Sequence, residues 1–223
     1  MKALLSAVLI VLLSACGSGG PPPPDWKANA ADLIERYKKH ELQGENVLAE
    51  RYFQQAIAAT GGAGRVTETA RLWLVRCATR RASLSDDDCH EYAELARAET
   101  TAEDRAYYLF ITLRWTEADA AKLPKQYAGL VHTESGKINT QISGISDPLS
   151  RLLAASLATL RKQADDTTLS LAAETASAQG WRHPLLVYLK LMEKRASERG
   201  DTAEQARLNT RIQLVEHSFS PAK

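Results

Sequence analysis

Almost every segment between residues 25 and 217 repeats its apolar residues with the period of a helix, and none reads as a strand. Ala30, Leu33, Ile34 and Tyr37 share one face of a helix expected over 25–40, which Gly44 breaks. Ala49, Phe53, Ala56 and Ile57 do the same over 46–60, stopped by Gly61-Gly62-Ala63-Gly64. Over 67–81 the apolar arc of Leu72, Trp73, Val75, Cys77 and Ala78 is wide, as in a helix buried on two sides. Ser85 is expected to cap the next helix. Asp86, Asp87 and Asp88 then fall in its first turn, where the helix dipole favours anions. Thr100 and Glu103 have the spacing of a capping box, followed by Ala106, Leu109, Phe110 and Leu113. A weaker helix over 118–130 is interrupted at Pro124.

The second half repeats the pattern. Asp147-Pro148 opens a helix with Leu149, Leu152, Leu153, Leu157 and Leu160 on its face. Asp165 or Asp166 opens another, which ends at Gly180 with Trp181 packing back. Residues 184–199 are broadly apolar through Leu185, Leu186, Tyr188, Leu189, Leu191 and Met192, until Gly200. Asp201 and Glu204 have capping-box spacing for a last helix carrying Ala206, Leu208, Ile212 and Val215. Between the halves, residues 131–146 are rich in Ser, Thr, Gly and Asn and lose the period. A stretch this long is either a functional loop or a disordered linker. The expected fold is all-α: about nine or ten short helices joined by short loops pack as antiparallel neighbours. They form hairpins stacked into an α-solenoid or an irregular bundle. The hairpins fall at 26–130 and 147–217, with a tail at 218–223.

The body follows a distinct N-terminus. Lys2 is basic, Ala3 to Leu13 are apolar but too few to span a bilayer, and small residues precede Cys16. Leu13-Ser14-Ala15-Cys16 resembles a bacterial lipobox, the signal peptidase II site. That resemblance implies a signal peptide over 1–15 and a covalent lipid (palmitate among its acyl chains) on Cys16. The lipid is the only added group expected. Gly17, not Asp, follows the cysteine, which by the same resemblance favours the periplasmic face of the outer membrane. Residues 16–25 form a Gly-then-Pro tether with nothing to pack.

Removing residues 1–15 from the 223 leaves 208, enough for one generous domain or two small ones. Lys and Arg total 28 against 27 Asp and Glu in the precursor, and the loss of Lys2 leaves the mature chain neutral. A neutral chain carries no electrostatic footprint for nucleic acid. Membrane attachment therefore rests on the lipid. In an oxidising compartment Cys77 and Cys89 form an even pair, either a disulfide stapling a helical hairpin or two buried thiols.

Residues 31–61 resemble one tetratricopeptide repeat. Leu33 and Tyr37 lie on its first helix, and Gly44, Ala49, Phe53 and Ala56 match its turn, small and aromatic positions. Ala172, Ala173 and Ala176, followed by Leu185, Leu189 and Met192, resemble a poorer second copy. The consensus Trp and Pro punctuation is missing, and residues 85–146 keep no repeat period. The resemblance implies stacked hairpins with a concave surface for partner proteins. Arg36, Tyr37, Arg51 and Tyr52 are the candidate lining residues, or else ordinary surface and half-buried positions.

No catalytic motif emerges. His40, His90, His132, His183 and His217 lack metal-ligand spacing. Asp86-Asp87-Asp88-Cys89-His90 reads either as a cation site or as the first-turn anions already described. No nucleophile elbow, P-loop or dinucleotide fingerprint is present. The expected function is a lipid-anchored scaffold or assembly factor for protein partners of the cell envelope, not an enzyme. The alternatives are a peptidoglycan-acting hydrolase or transglycosylase and a purely structural tether. A groove of paired carboxylates favours the enzyme, and one of Tyr, Asn and Arg favours binding.

Overall fold

The computed structural model describes residues 24–219. The signal segment, Cys16, most of the tether and the end of the tail lie outside the described residues. Eleven α-helices and four 3-10 turns form, with no strand among the described residues. None of the helices is long and apolar enough to cross a membrane.

The first three helices make one layer. Helix α1 (Asp25–Gln43), α2 (Asn46–Gly62) and α3 (Val66–Arg81) pack on one another around Leu33, Ile34, Tyr37, Ala49, Phe53, Ala56 and Leu72. Gly44 ends α1 at φ +76°, a conformation that favours glycine, and the Gly44 and Glu45 N–H groups close onto Glu41 and His40. The turn is also tightly covered, since a Cβ at Gly44 would stand 2.7 Å from the Phe219 ring.

Helices α4 (His90–Leu95), α5 (Ala102–Ile111), α6 (Lys125–Ala128) and α7 (Ile138–Ser143) are short. They are followed by the longer α8 (Pro148–Leu160), α9 (Asp166–Ala178), α10 (Arg182–Glu198) and α11 (Thr202–His217). The main core runs from Ala70 to Tyr188 and includes residues on both sides of 131–146. A third cluster of Leu189, Ala196, Leu208 and Ile212 joins α10 to α11. Helix α3 meets α8, and α10 meets α1, so helices far apart in sequence are neighbours. Two buried hydroxyls join distant helices: Ser156 donates to the Arg81 carbonyl, and Tyr188 reaches the Ala82 carbonyl at 3.5 Å. Arg182 ties the chain's end to its beginning, pairing with Glu45 at 3.1 Å, donating to the Ser218 carbonyl and lying over the Phe219 ring.

Four local expectations are corrected. Asp86, Asp87 and Asp88 do not start a helix, because residues 85–89 fold back over the end of α3. There the Arg81 guanidinium donates to the Asp87 carbonyl, and Arg80 pairs with the Asp87 carboxylate. Asp87 and Asp88 accept from the Cys89 and His90 N–H groups, and helix formation waits for His90. The cap of α5 is Thr101 with Asp104, one residue beyond the expected Thr100 and Glu103, because the Thr100 hydroxyl is held by Tyr92. Residues 118–130 make a 3-10 turn at Ala120–Lys122, the four-residue α6 and the start of a second 3-10 turn at Leu130–His132.

Finally, residues 131–146 are neither a bare loop nor a disordered linker. They contain α7, and Ile138, Ile142 and Ile145 are buried in the main core. Their i, i+4, i+7 spacing is a single helical stripe inside a polar stretch.

Candidate functional site

Capping places the site. The Asp147 carboxylate accepts from the Ser150 N–H, and Pro148 sits in the first turn of α8. The helix start so fixed lies beside clefts lined also by residues of α1, α3, α5 and α6. Three clefts lie along it, each sharing lining residues with the next, and together they make up a segmented groove. The first, of about 640 Å³, lies between α5 and the 120–127 segment and is lined by Tyr107, Lys122, Lys125, Tyr127 and Ser150. The middle cleft, of about 230 Å³, keeps Tyr107, Tyr127 and Ser150 and adds Val75, Leu153, Leu149 and Lys38. The third, of about 360 Å³, continues from Lys38 and Leu149 to Lys39, Leu42 and Trp181.

Tyr107 and Tyr127 form the centre, their rings stacked at 6.1 Å. Burial pushes the Tyr127 phenol up to about 12 and the Tyr107 phenol well above its ordinary value. Both therefore stay neutral in ordinary conditions. The linked stability has a definite sign. A folded-state value above the unfolded 10 stabilises fully below pH 10, and that contribution is lost as pH rises towards about 12. The unfolding free energy from urea denaturation is expected to fall between pH 10 and 12, by up to about 1.4 kcal/mol per pH unit from Tyr127. Measuring it for wild type and Tyr127→Phe checks this, since the variant should lose less over that interval.

The groove carboxylates are all engaged. Glu35 pairs with Lys38, Glu103 with Lys122 and Asp104 with Arg71, while Asp147 serves as the cap. A backbone N–H and then Lys122 hold the Glu103 carboxyl below the usual range. Lys39 and Lys125 are exposed and form no ion pair among the described residues. The groove therefore offers neutral phenols, an apolar stripe and two uncommitted ammonium groups.

None of the four residues proposed from the repeat resemblance lines this groove. Tyr37 is fully buried, packed 5.2 Å from the Phe53 ring with its hydroxyl towards the Arg76 carbonyl. It lies on the Leu33 and Ile34 stripe and is removed as a surface candidate. Arg36 is exposed, paired with Asp32 at 2.7 Å, with its guanidinium over the Tyr52 ring. Tyr52 is half-buried and stacks on His40, and Arg51 is exposed on α2. The groove residues come from positions as distant as Lys38 and Trp181, which no local spacing could have joined.

Cys77 and Cys89 are joined in a disulfide with Cα atoms 5.4 Å apart. Their sulfurs and the Asp87 carboxylate lie within 4.8 Å of one another, but sulfurs bonded to each other are not thiolate ligands, and Asp87 faces Arg80. No family model, curated protein or solved structure matches the chain.

Proposed function

We propose that this protein is a binding module of the cell envelope: a scaffold or assembly factor that holds an extended segment of a protein partner in the α8 groove. The carrying observation is the groove itself, three neighbouring clefts lined in turn by Tyr107, Tyr127, Leu149 and Trp181, with its carboxylates committed to pairs or a cap. Aromatic and aliphatic walls with a few placed polar groups suit recognition of a peptide. The free charges of Lys39 and Lys125 favour a segment that mixes acidic and apolar residues. The lipobox resemblance at Cys16 supports lipid anchoring on the periplasmic face of the outer membrane. The engaged carboxylates favour binding over wall cleavage, which calls for a carboxyl group kept available as an acid.

Crosslinking the full chain in living cells, followed by mass spectrometry, tests the proposal. Wild type should recover one recurrent envelope protein. Leu149→Glu should reduce that recovery about tenfold or more, the effect of removing an apolar interface anchor. An acid suits the first turn of α8, and because Leu149 also packs against the main core, the variant's urea midpoint is measured alongside and should stay close to wild type. Recovery unchanged by the substitution, or recovery of wall fragments alone, would sink the reading.

A further inference from the structure

A second cleft, independent of the groove, opens on the other side of α5. It has a volume of about 310 Å³ and lies between α4 and α5. Three guanidinium groups, Arg97, Arg105 and Arg114, share its lining with Tyr92, Tyr108 and Thr100. No carboxylate is among its lining residues, whereas each segment of the groove contains one. In a chain with 28 basic and 27 acidic residues, three arginines gathered without acids are a local concentration of charge.

We infer that this cleft binds a phosphate monoester. Arg97 and Arg105 form no ion pair among the described residues and are exposed, so their donors are available. Arg114 is held in place by Glu117, with contacts of 2.6 and 2.9 Å, and by the Tyr108 hydroxyl. Glu117 sits at the rim near both Arg114 and Arg105. Asp104 also acts on Tyr92 but is paired with Arg71, so three guanidinium charges less the Glu117 carboxylate leave two, matching a monoester dianion whose second ionisation lies near pH 6. The planar fork of donors on each arginine fits phosphate oxygens in pairs, and a carboxylate needs only one such fork.

The rest of the cleft suits the organic part of the ester. The Tyr92 and Tyr108 rings lie 5.0 Å apart and make an aromatic wall beside Ala96 and Leu109. Burial raises the Tyr92 phenol above its ordinary value, so the hydroxyl keeps its proton. It shares a 2.8 Å hydrogen bond with the Thr100 hydroxyl, whose own proton goes to the Thr101 carbonyl over a long 3.4 Å contact, the one donor here that an added oxyanion can draw away. The volume holds about ten waters, the scale of a small ester.

Calorimetric titration of the full chain with phenyl phosphate, inorganic phosphate and benzoate at fixed salt tests the inference. Phenyl phosphate should saturate a single site, and benzoate should bind at least about tenfold more weakly. The Arg97→Ala/Arg105→Ala variant should lose about tenfold or more in phenyl phosphate affinity. Arg207→Ala, an exposed change on α11, should leave binding unchanged. Dihexanoyl phosphatidic acid distinguishes the source of the phosphate. Tighter binding than phenyl phosphate assigns a lipid headgroup, and weaker binding assigns a soluble ester. Absence of saturation, equal binding of benzoate, or equal affinity in the double variant overturns the inference.

Discussion

Phe110→Ala is expected to destabilise the protein by about 3–5 kcal/mol, the range for emptying a buried aromatic position. Phe110 is fully buried and holds two other aromatic rings, Trp115 at 5.2 Å and Tyr127 at 4.9 Å. Its carbonyl also accepts the Trp115 indole N–H at 2.8 Å. This cluster is what organises residues 115–132. Their helical pieces are only three or four residues long, far too short to persist without tertiary packing. Removing the ring leaves a cavity and loosens α6, which carries Tyr127 into the groove. A lowered urea midpoint with an unchanged slope is the expected result, and Phe110→Leu should recover part of the loss. A loss below about 1 kcal/mol would contradict the central place of this ring.

The second large effect is expected at the disulfide. Replacing Cys77 and Cys89 together by alanine should cost about 3 kcal/mol, because the bond closes a loop over a sequence separation of 12. The local structure argues for coupling beyond chain entropy. Arg81 is 5% exposed, and burial lowers the pKa of its guanidinium, with Asp86, Asp87 and Asp88 opposing that shift. Its donor contact is the Asp87 carbonyl in the loop that Cys89 pins down. Freeing the loop leaves a nearly buried cation without its acceptor, and such groups are costly to strand. A double-mutant cycle with Arg81→Met measures this directly. The cysteine substitutions should cost less in the Arg81→Met background than in wild type, and equal costs in both would show that loop and arginine act independently.

These two sites also mark where the amino-acid pattern is readable and where it is not. The apolar stripe of Leu33, Ile34 and Tyr37 and the Asp147-Pro148 cap are local features, set within one or two helical turns, and the structure follows both. Asp86 to Asp88 look like first-turn anions by the same local logic. Asp86 and Asp87 are drawn instead to Arg81 and Arg80, and the bond to Cys77 holds the segment there, so a tertiary contact overrides a capping preference. Residues 131–146 hide their core stripe because Ile138, Ile142 and Ile145 stand among serines, threonines and glycines that dilute the period. The groove had no local signal at all. Lys38, Tyr107, Leu149 and Trp181 each satisfy an ordinary helical or flanking position, and only the tertiary arrangement that sets α1 and α5 beside the start of α8 brings them together. Tyr37 is a different case. Its position on the apolar face already argued for burial, and its hydroxyl made it resemble a surface residue.

The meeting of α1 with α10 bears on the order in which the molecule is completed. Helices α1, α2 and α3 come first in the chain and cover one another around Tyr37 and Phe53. The face of α1 that meets α10, and the turn at Gly44 that Phe219 covers, have no cover until the last helices are in place. Arg182 then closes both against Glu45 and the Ser218 carbonyl. The first helix therefore completes its packing only with the last elements of the chain, unlike an open array of repeats, in which each hairpin touches only its neighbours.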